Sequence, residues 1–195
     1  DWVVSWSDEP QEPASPDFIA GFYTNDFFSE NFLDLSPSTF AEVAQHNGSL
    51  APLSTVWSYG QILPLPFVEP RAVVSGGVSL PLPNVATQAA FVRDAGLDVF
   101  IAPQFNMEMT ANRDSLCCEH DDLWWSEWLK AAERLWLWNA HVAASVDAEL
   151  MILPGYVFHV FAGSGAFETV ESFEAFDRSL VELMGRVRGV YDGKI

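Results

Sequence analysis

The residues with the most chemistry to offer fall into small groups, each just after a short apolar run. They are Tyr23 with Asp26, Trp57 with Tyr59, Gln104 and Asn106 with Glu108, and Tyr156 with His159. Aromatic rings beside amides and carboxylates suit a sugar. Its ring has apolar CH faces, and its hydroxyls need hydrogen-bond partners once water has been removed. Glu108, five residues past Pro103, is the best carboxylate for general acid–base work. Gln104 and Asn106 alternate with Phe105 and Met107, a spacing that puts both amides on one face of an extended segment.

Every one of these residues also has a structural reading. Trp57 and Tyr59 suit the cap of an apolar core. Glu108 suits a solvated loop, and the two amides suit the satisfaction of nearby backbone groups. His159 lies among Val157, Phe158, Val160 and Phe161, where a hydrogen-bonded structural imidazole is the commoner role. Glu119-His120-Asp121-Asp122 has metal-ligand residue types, but its contiguous placement before a helical pattern favours capping by Asp121 or Asp122 over a cage. The adjacent Cys117 and Cys118 form neither a spaced disulfide framework nor a CxxC pair. No Gly-rich phosphate loop, GxSxG elbow, HExxH pair or EF-hand pattern occurs, so neither a cofactor nor a metal is expected.

The elements that must position these residues follow a repeating pattern of apolar run, loop and helical stretch. The first run is Phe18–Tyr23, with a helix opening near Ser36 or Ser38 and closing at Asn47-Gly48. The second is Leu50–Trp57, followed by a long loop rich in Pro and Gly. Asn84 then caps a helix that stops at Gly96. Asp98–Pro103 is apolar without alternation, as a strand buried on both faces should be. It leads to a long helix over about 121–145, whose Trp124, Trp128, Ala131, Leu135, Trp138 and Val142 form one apolar stripe. Ala148–Leu153 is the fourth run. Its helix buries Phe173, Phe176, Leu180, Leu183 and Val187 with Tyr191 and ends at Gly193, and a fifth strand begins at Lys194.

Four consecutive βα units predict an α/β fold with a parallel sheet, either open and doubly wound or closed as a barrel. Thr24-Asn25-Asp26-Phe27 stands where an open dinucleotide-binding sheet has its Gly-rich turn, which leaves the barrel. An eight-unit barrel needs ~250 residues, so 195 residues correspond to about four of its eight units. Residues 1–16, rich in Pro and acidic side chains, read as a linker or the end of an upstream module, and 17–195 as the half barrel.

Composition narrows the partners. With 27 Asp or Glu against 9 Lys or Arg, the net charge of −18 argues against nucleic acid and anionic membrane surfaces, which are bound through clustered Lys and Arg. The apolar runs fall short of the ~20 residues of a membrane-spanning helix. The acidic excess, with only Lys130 and Lys194 as lysines, leads us to expect an extracellular or secreted protein.

Four segments in order carry a family resemblance: 18–23 (FIAGFY), 53–59 (LSTVWSY), 95–103 (AGLDVFIAP) and 186–194 (RVRGVYDGK). Together they resemble the first half of a (β/α)8-barrel glycoside hydrolase of the broad clan that contains mannanases, galactanases and cellulases. The resemblance implies carbohydrate as partner. It also implies retaining hydrolysis by two carboxyl groups ~5 Å apart, an acid/base Glu after the fourth strand and a nucleophile Glu after the seventh. Here Gly155 matches the glycine that often precedes the Asn-Glu pair, but Tyr156 and Val157 stand in place of that pair. We therefore expect this chain to be inactive by itself and its complete parent to hydrolyse a polysaccharide or oligosaccharide. The alternative is a non-catalytic carbohydrate-binding or scaffold barrel. A half barrel also exposes two open strand edges, so self-association is a third expectation.

Overall fold

The computed structural model describes residues 32–70, 82–107, 120–153 and 170–195. The expected linker at 1–16 and first strand at 18–23 lie outside them. The described elements run α1 (Phe32–Gln45), β1 (Leu50–Leu53), β2 (Val56–Gln61), β3 (Phe67–Pro70), α2 (Leu82–Asp94), β4 (Asp98–Ile101), β5 (Gln104–Met107), α3 (Asp122–Ser145), β6 (Leu150–Met151) and α4 (Val170–Arg188).

β1, β4 and β6 form a parallel sheet in that order, and Lys194 adds a parallel bridge to Leu150, where the fifth strand was expected. Met151 N–H donates to the Lys194 carbonyl at 2.8 Å, and Lys194 N–H donates to that of Glu149 at 3.1 Å. Side chains alternate across this sheet. Ala51, Leu53, Val99, Ile101 and Met151 belong to the large core beneath the helices, whereas Leu50, Phe100 and Ala102 form a separate small cluster on the opposite, inner face.

The helices close the outer face. α3 buries most of the expected stripe: Trp124, Trp128, Ala131, Leu135 and Val142 are buried, and Trp138 is half-buried. Asp121 caps it by accepting from Trp124 N–H at 2.8 Å, so the capping alternative for the acidic cluster holds at that residue. α2 ends as its sequence requires. Gly96 adopts φ 76°, a left-handed turn that favours glycine, and Leu97 N–H returns to the Val92 carbonyl at 3.1 Å.

Several boundaries differ from expectation. α1 opens at Phe32, not near Ser36 or Ser38, and carries Pro37 inside it. Ser38, expected at the helix opening, instead donates back to the Leu35 carbonyl within the helix, as does Thr39. Asn84 lies in the first turn of α2 rather than at its cap. α4 ends at Arg188, where Gly189 N–H closes on Gly185 and Arg186, ahead of Gly193. Phe173, assigned to the buried stripe, is 52% exposed because α4 turns only its Phe176–Leu183–Val187 side to the core. Among the described residues, no helix is long and apolar enough to cross a membrane.

The largest surprise is a second sheet. The run expected to be one strand through Trp57 breaks at Ser54-Thr55 into β1 and β2, and the expected Pro-rich loop contains β3. β5 occupies part of the expected polar loop. This sheet has the order β3-β2-β5, with β2 antiparallel to β3 and parallel to β5. β1 pairs with β4, and β2 with β5, at the same offset of 48 residues. The two pairs are thus one ribbon interrupted at 54–55 and 102–103, and the second sheet is its continuation past the C-terminal ends of the first.

Candidate functional site

In a parallel βα array the chain leaves every strand at the same end, so the exits share one rim, where such folds place binding and catalysis. Here the exits are Ser54-Thr55 after β1, Ala102-Pro103 after β4 and Ile152-Leu153 after β6. The second sheet rises from the first two exits as a ledge.

The ledge is locked to α3 by polar contacts in an apolar setting. Thr55 and Asn139 are fully buried, and the Thr55 hydroxyl donates to Asn139 Oδ1 at 2.5 Å. Asn139 Nδ2 in turn donates to the Leu135 carbonyl at 2.8 Å. One turn from the helix start, Trp124 Nε1 donates to the Ile62 carbonyl at 2.8 Å and fixes the β2–β3 turn. Gln61 Nε2 reaches the Leu65 carbonyl across that turn at 3.1 Å. Ile62 and Val68 are buried in the large core, so the hairpin is anchored along its length.

Alternation continues through the break. Thr55 meets Asn139 of α3, and Trp57 packs edge-on to Trp138 of the same helix with ring centroids 6.2 Å apart. Odd positions of β2 therefore face the helices, and even positions share the inner side with Leu50. In register, Val56 and Ser58 stand beside Gln104 and Asn106, and Trp57 and Tyr59 beside Phe105 and Met107. By alternation the Gln104 and Asn106 positions fall on one face of β5, and Trp57 is buried on the helix side of the sheet.

That division determines what the described candidates can do. Trp57 is 5% exposed in the helix-side core, the core-cap alternative of its sequence reading, and it presents no open ring face. Tyr59 is paired with Val68, which is buried in that same core. Tyr23, Asp26, Glu108, Tyr156 and His159 lie outside the described residues, as do Cys117 and Cys118. Among the described residues, no three His, Cys, Asp or Glu side chains gather into a metal cage. His120 is buried and stacks on Trp124 at 3.8 Å between centroids.

The structure adds residues that sequence reasoning passed over. Phe67 and Glu69 on β3 are exposed, with Val68 between them buried. Glu69 is paired with Ser58, which puts it on the amide-bearing side of the ledge. Ser54 Oγ and Trp57 Nε1 are buried without a hydrogen-bond partner among the described residues. Little in the sequence signals β3, because Phe67-Val68-Glu69 does not alternate apolar and polar and lies among prolines.

The opposite end of the sheet is built differently. Tyr191 is buried, and its hydroxyl donates to the Ala148 carbonyl at 2.8 Å. Burial first, and the Glu149 carboxylate second, push that hydroxyl up to about 12. Gly193 lies against the ring, in space where a Cβ would collide with it. Lys194 pairs with Glu149 at 2.5 Å, and this hydrogen bond raises its affinity for the proton. The Tyr-Asp-Gly-Lys segment, one carrier of the family resemblance, is therefore a fastening at the floor of the sheet.

No family model matches the chain, and no curated protein sequence matches it. Solved structures do. The chain is similar to a GH113 β-1,4-mannanase determined as a complex, at 14% identity and TM-score 0.60, over 90% of this chain and 52% of that one. It is similar to the GH113 β-mannanase from Alicyclobacillus acidocaldarius in complex with ManMIm, at 18% identity and TM-score 0.58, over 90% and 51%. A further GH113 β-1,4-mannanase aligns at 16% identity and TM-score 0.60, over 90% and 53%. The chain spans about half the length of these structures. At such identities the likeness shows the fold alone: parallel βα units forming part of a TIM-type barrel.

Proposed function

We propose that this chain supplies the substrate-binding rim of a carbohydrate-active, glycoside-hydrolase-like protein, and that it binds polysaccharide without cleaving it by itself. One observation carries the reading: parallel strand exits gather on a single rim, in a fold aligned over nine-tenths of the chain with mannanases. A β-linked mannan or a related plant polysaccharide is the substrate class this favours. Retaining hydrolysis needs two facing carboxyl groups ~5 Å apart. Among the described residues of the ledge Glu69 is the only carboxylate, so a second must come from elsewhere in the complete protein. Secretion, expected from the acidic composition, fits a polymeric substrate that cells meet outside.

The test is direct. The purified 195-residue chain is titrated with β-1,4-mannohexaose, cellohexaose and galactan fragments by calorimetry, and each mixture is assayed for reducing ends. Binding of at least one without release of reducing ends is the expected result. Turnover would overturn the division of labour, and failure to bind any of them would overturn the carbohydrate reading. A second reading, pairing of two half barrels, is favoured by Ile152. It is 45% exposed at an exit and is aligned by alternation with the inner-face cluster through Leu150. Light scattering that shows a stable monomer would dispose of that reading.

A further inference from the structure

Across the ledge, one row of the second sheet carries a hydrogen-bonding residue on each strand. Asn106 of β5 is in register with Ser58 of β2, which is in register with Glu69 of β3. Neighbouring strands lie ~4.8 Å apart, so the row spans ~10 Å, the reach of the hydroxyls around one to two hexose rings. Glu69 lies on the side away from α3, because its neighbour Val68 is buried in the helix-side core.

Beside this row stands an exposed ring over bare backbone. Phe67 is 51% exposed, and Gly60 across from it has no side chain. A Cβ built on Gly60 would lie 3.4 Å from Phe67 Cδ1 and 4.0 Å from Glu69 Oε1, so ring, carboxylate and glycine meet at one point. Phe67 is also held in place, since the hairpin is pinned by the Trp124–Ile62 and Gln61–Leu65 hydrogen bonds and by burial of Val68. A rigid aromatic face loses little entropy when it binds. A carboxylate next to that face can accept from vicinal hydroxyls more strongly than a neutral group can.

We infer that Phe67, Gly60 and Glu69 form a sugar subsite in which a hexopyranose of a β-linked chain stacks on Phe67 and donates hydroxyl hydrogen bonds to Glu69. The inference rests on the carbohydrate reading above and deepens it: it names the contacting residues and moves the aromatic platform from Trp57 to Phe67. The acidic neighbour favours a neutral glycan over a uronate or phosphorylated one, because like charges side by side repel.

The experiment titrates wild type, Phe67→Ala, Phe67→Tyr and Glu69→Gln with β-1,4-mannohexaose by calorimetry, with circular dichroism melting of each. We expect Phe67→Ala to weaken binding by about tenfold or more, as loss of an anchoring aromatic does. Phe67→Tyr, which keeps the flat face, stays within about twofold. Glu69→Gln, which keeps an acceptor and loses only the charge, weakens binding by roughly threefold or more. Both Phe67 and Glu69 are exposed, so the melting curves should coincide. If Phe67→Ala and Glu69→Gln bind like wild type, the subsite is overturned while the carbohydrate reading stands. If wild type binds neither mannohexaose nor cellohexaose nor galactan fragments, both fall. If Phe67→Ala instead converts a dimer to a monomer at unchanged affinity, the ring belongs to an interface between copies and the subsite is overturned.

Discussion

The two ends of the parallel sheet treat polar groups in opposite ways. At the floor, the described polar groups find partners inside the fold. The Tyr191 hydroxyl is on Ala148, Lys194 is on Glu149, and the Arg93 guanidinium reaches the carbonyls of Val146 and Asp147. At the rim, Ser54 Oγ and Trp57 Nε1 are buried with no partner among the described residues, and Phe67, Glu69 and Ile152 are exposed. A buried polar group without a partner costs roughly 1–3 kcal/mol, so a fold retains one where another molecule or segment can complete it. This contrast between floor and rim is the one the proposed binding role requires, since βα barrels carry stability at the floor and sites at the rim.

The floor is where a single substitution should cost most. Tyr191→Ala removes a fully packed ring and its hydrogen bond and should destabilise the chain by about 3–5 kcal/mol, read from chemical denaturation. The conservative Tyr191→Phe should cost about 1 kcal/mol. The same residue sets a pH limit. A phenol held at about 12 in the folded chain and ~10 when unfolded keeps its proton longer in the native state. Its stabilisation is complete below pH 10 and declines as pH rises from 10 to 12, by up to about 3 kcal/mol across those two units. Tyr191→Phe should remove that decline, and identical alkaline melting of the two proteins would show that the floor is not fastened here.

The joint between the two ends comes next in size. Asn139→Ala should cost about 2 kcal/mol, because the Thr55 hydroxyl loses its acceptor in a site closed to water. Replacing both partners, as Thr55→Val with Asn139→Leu, should restore much of that loss, since neither side is then left polar and alone. A double mutant as unstable as the sum of the singles would mean that the pair does not hold the ledge to α3.

Much of the floor and core was legible in the sequence because it obeys periodic rules. The tryptophan stripe of α3 repeats at helical spacing, Gly96 marks the end of α2, and the run Asp98–Ile101 reads as a doubly buried strand and is one. The ledge was harder to read because it breaks such rules. Strand β3 follows Pro66 and ends on Pro70, which fits there because β3 is the edge strand of the described sheet. β5 was hidden by its polar residues, although their alternation already placed Gln104 and Asn106 on one face. Trp57 illustrates the remaining limit. An aromatic residue after a strand is compatible with either face, and only the continuation of the ribbon past Ser54 decides which. Phe67 was missed because its role depends on Gly60, a partner seven residues away that is brought opposite by a hairpin the prolines conceal.

The smallest expected effect gives the sharpest contrast between the two ends. Ser54 follows β1 directly, at a position aligned with Leu50 and Pro52 on the inner face, and its hydroxyl is buried with no partner among the described residues. If that hydroxyl were part of the fold's own bonding, Ser54→Ala would cost about 1 kcal/mol, as Tyr191→Phe does at the floor. Because it bonds to nothing described, its removal should leave stability within about 0.5 kcal/mol of wild type or raise it slightly. The two conservative deletions of a hydroxyl, compared in one denaturation series, therefore measure the asymmetry itself. Equal losses at both positions would mean that the rim is as self-satisfied as the floor, and the case for a ligand completing it would rest on Phe67 and Glu69 alone.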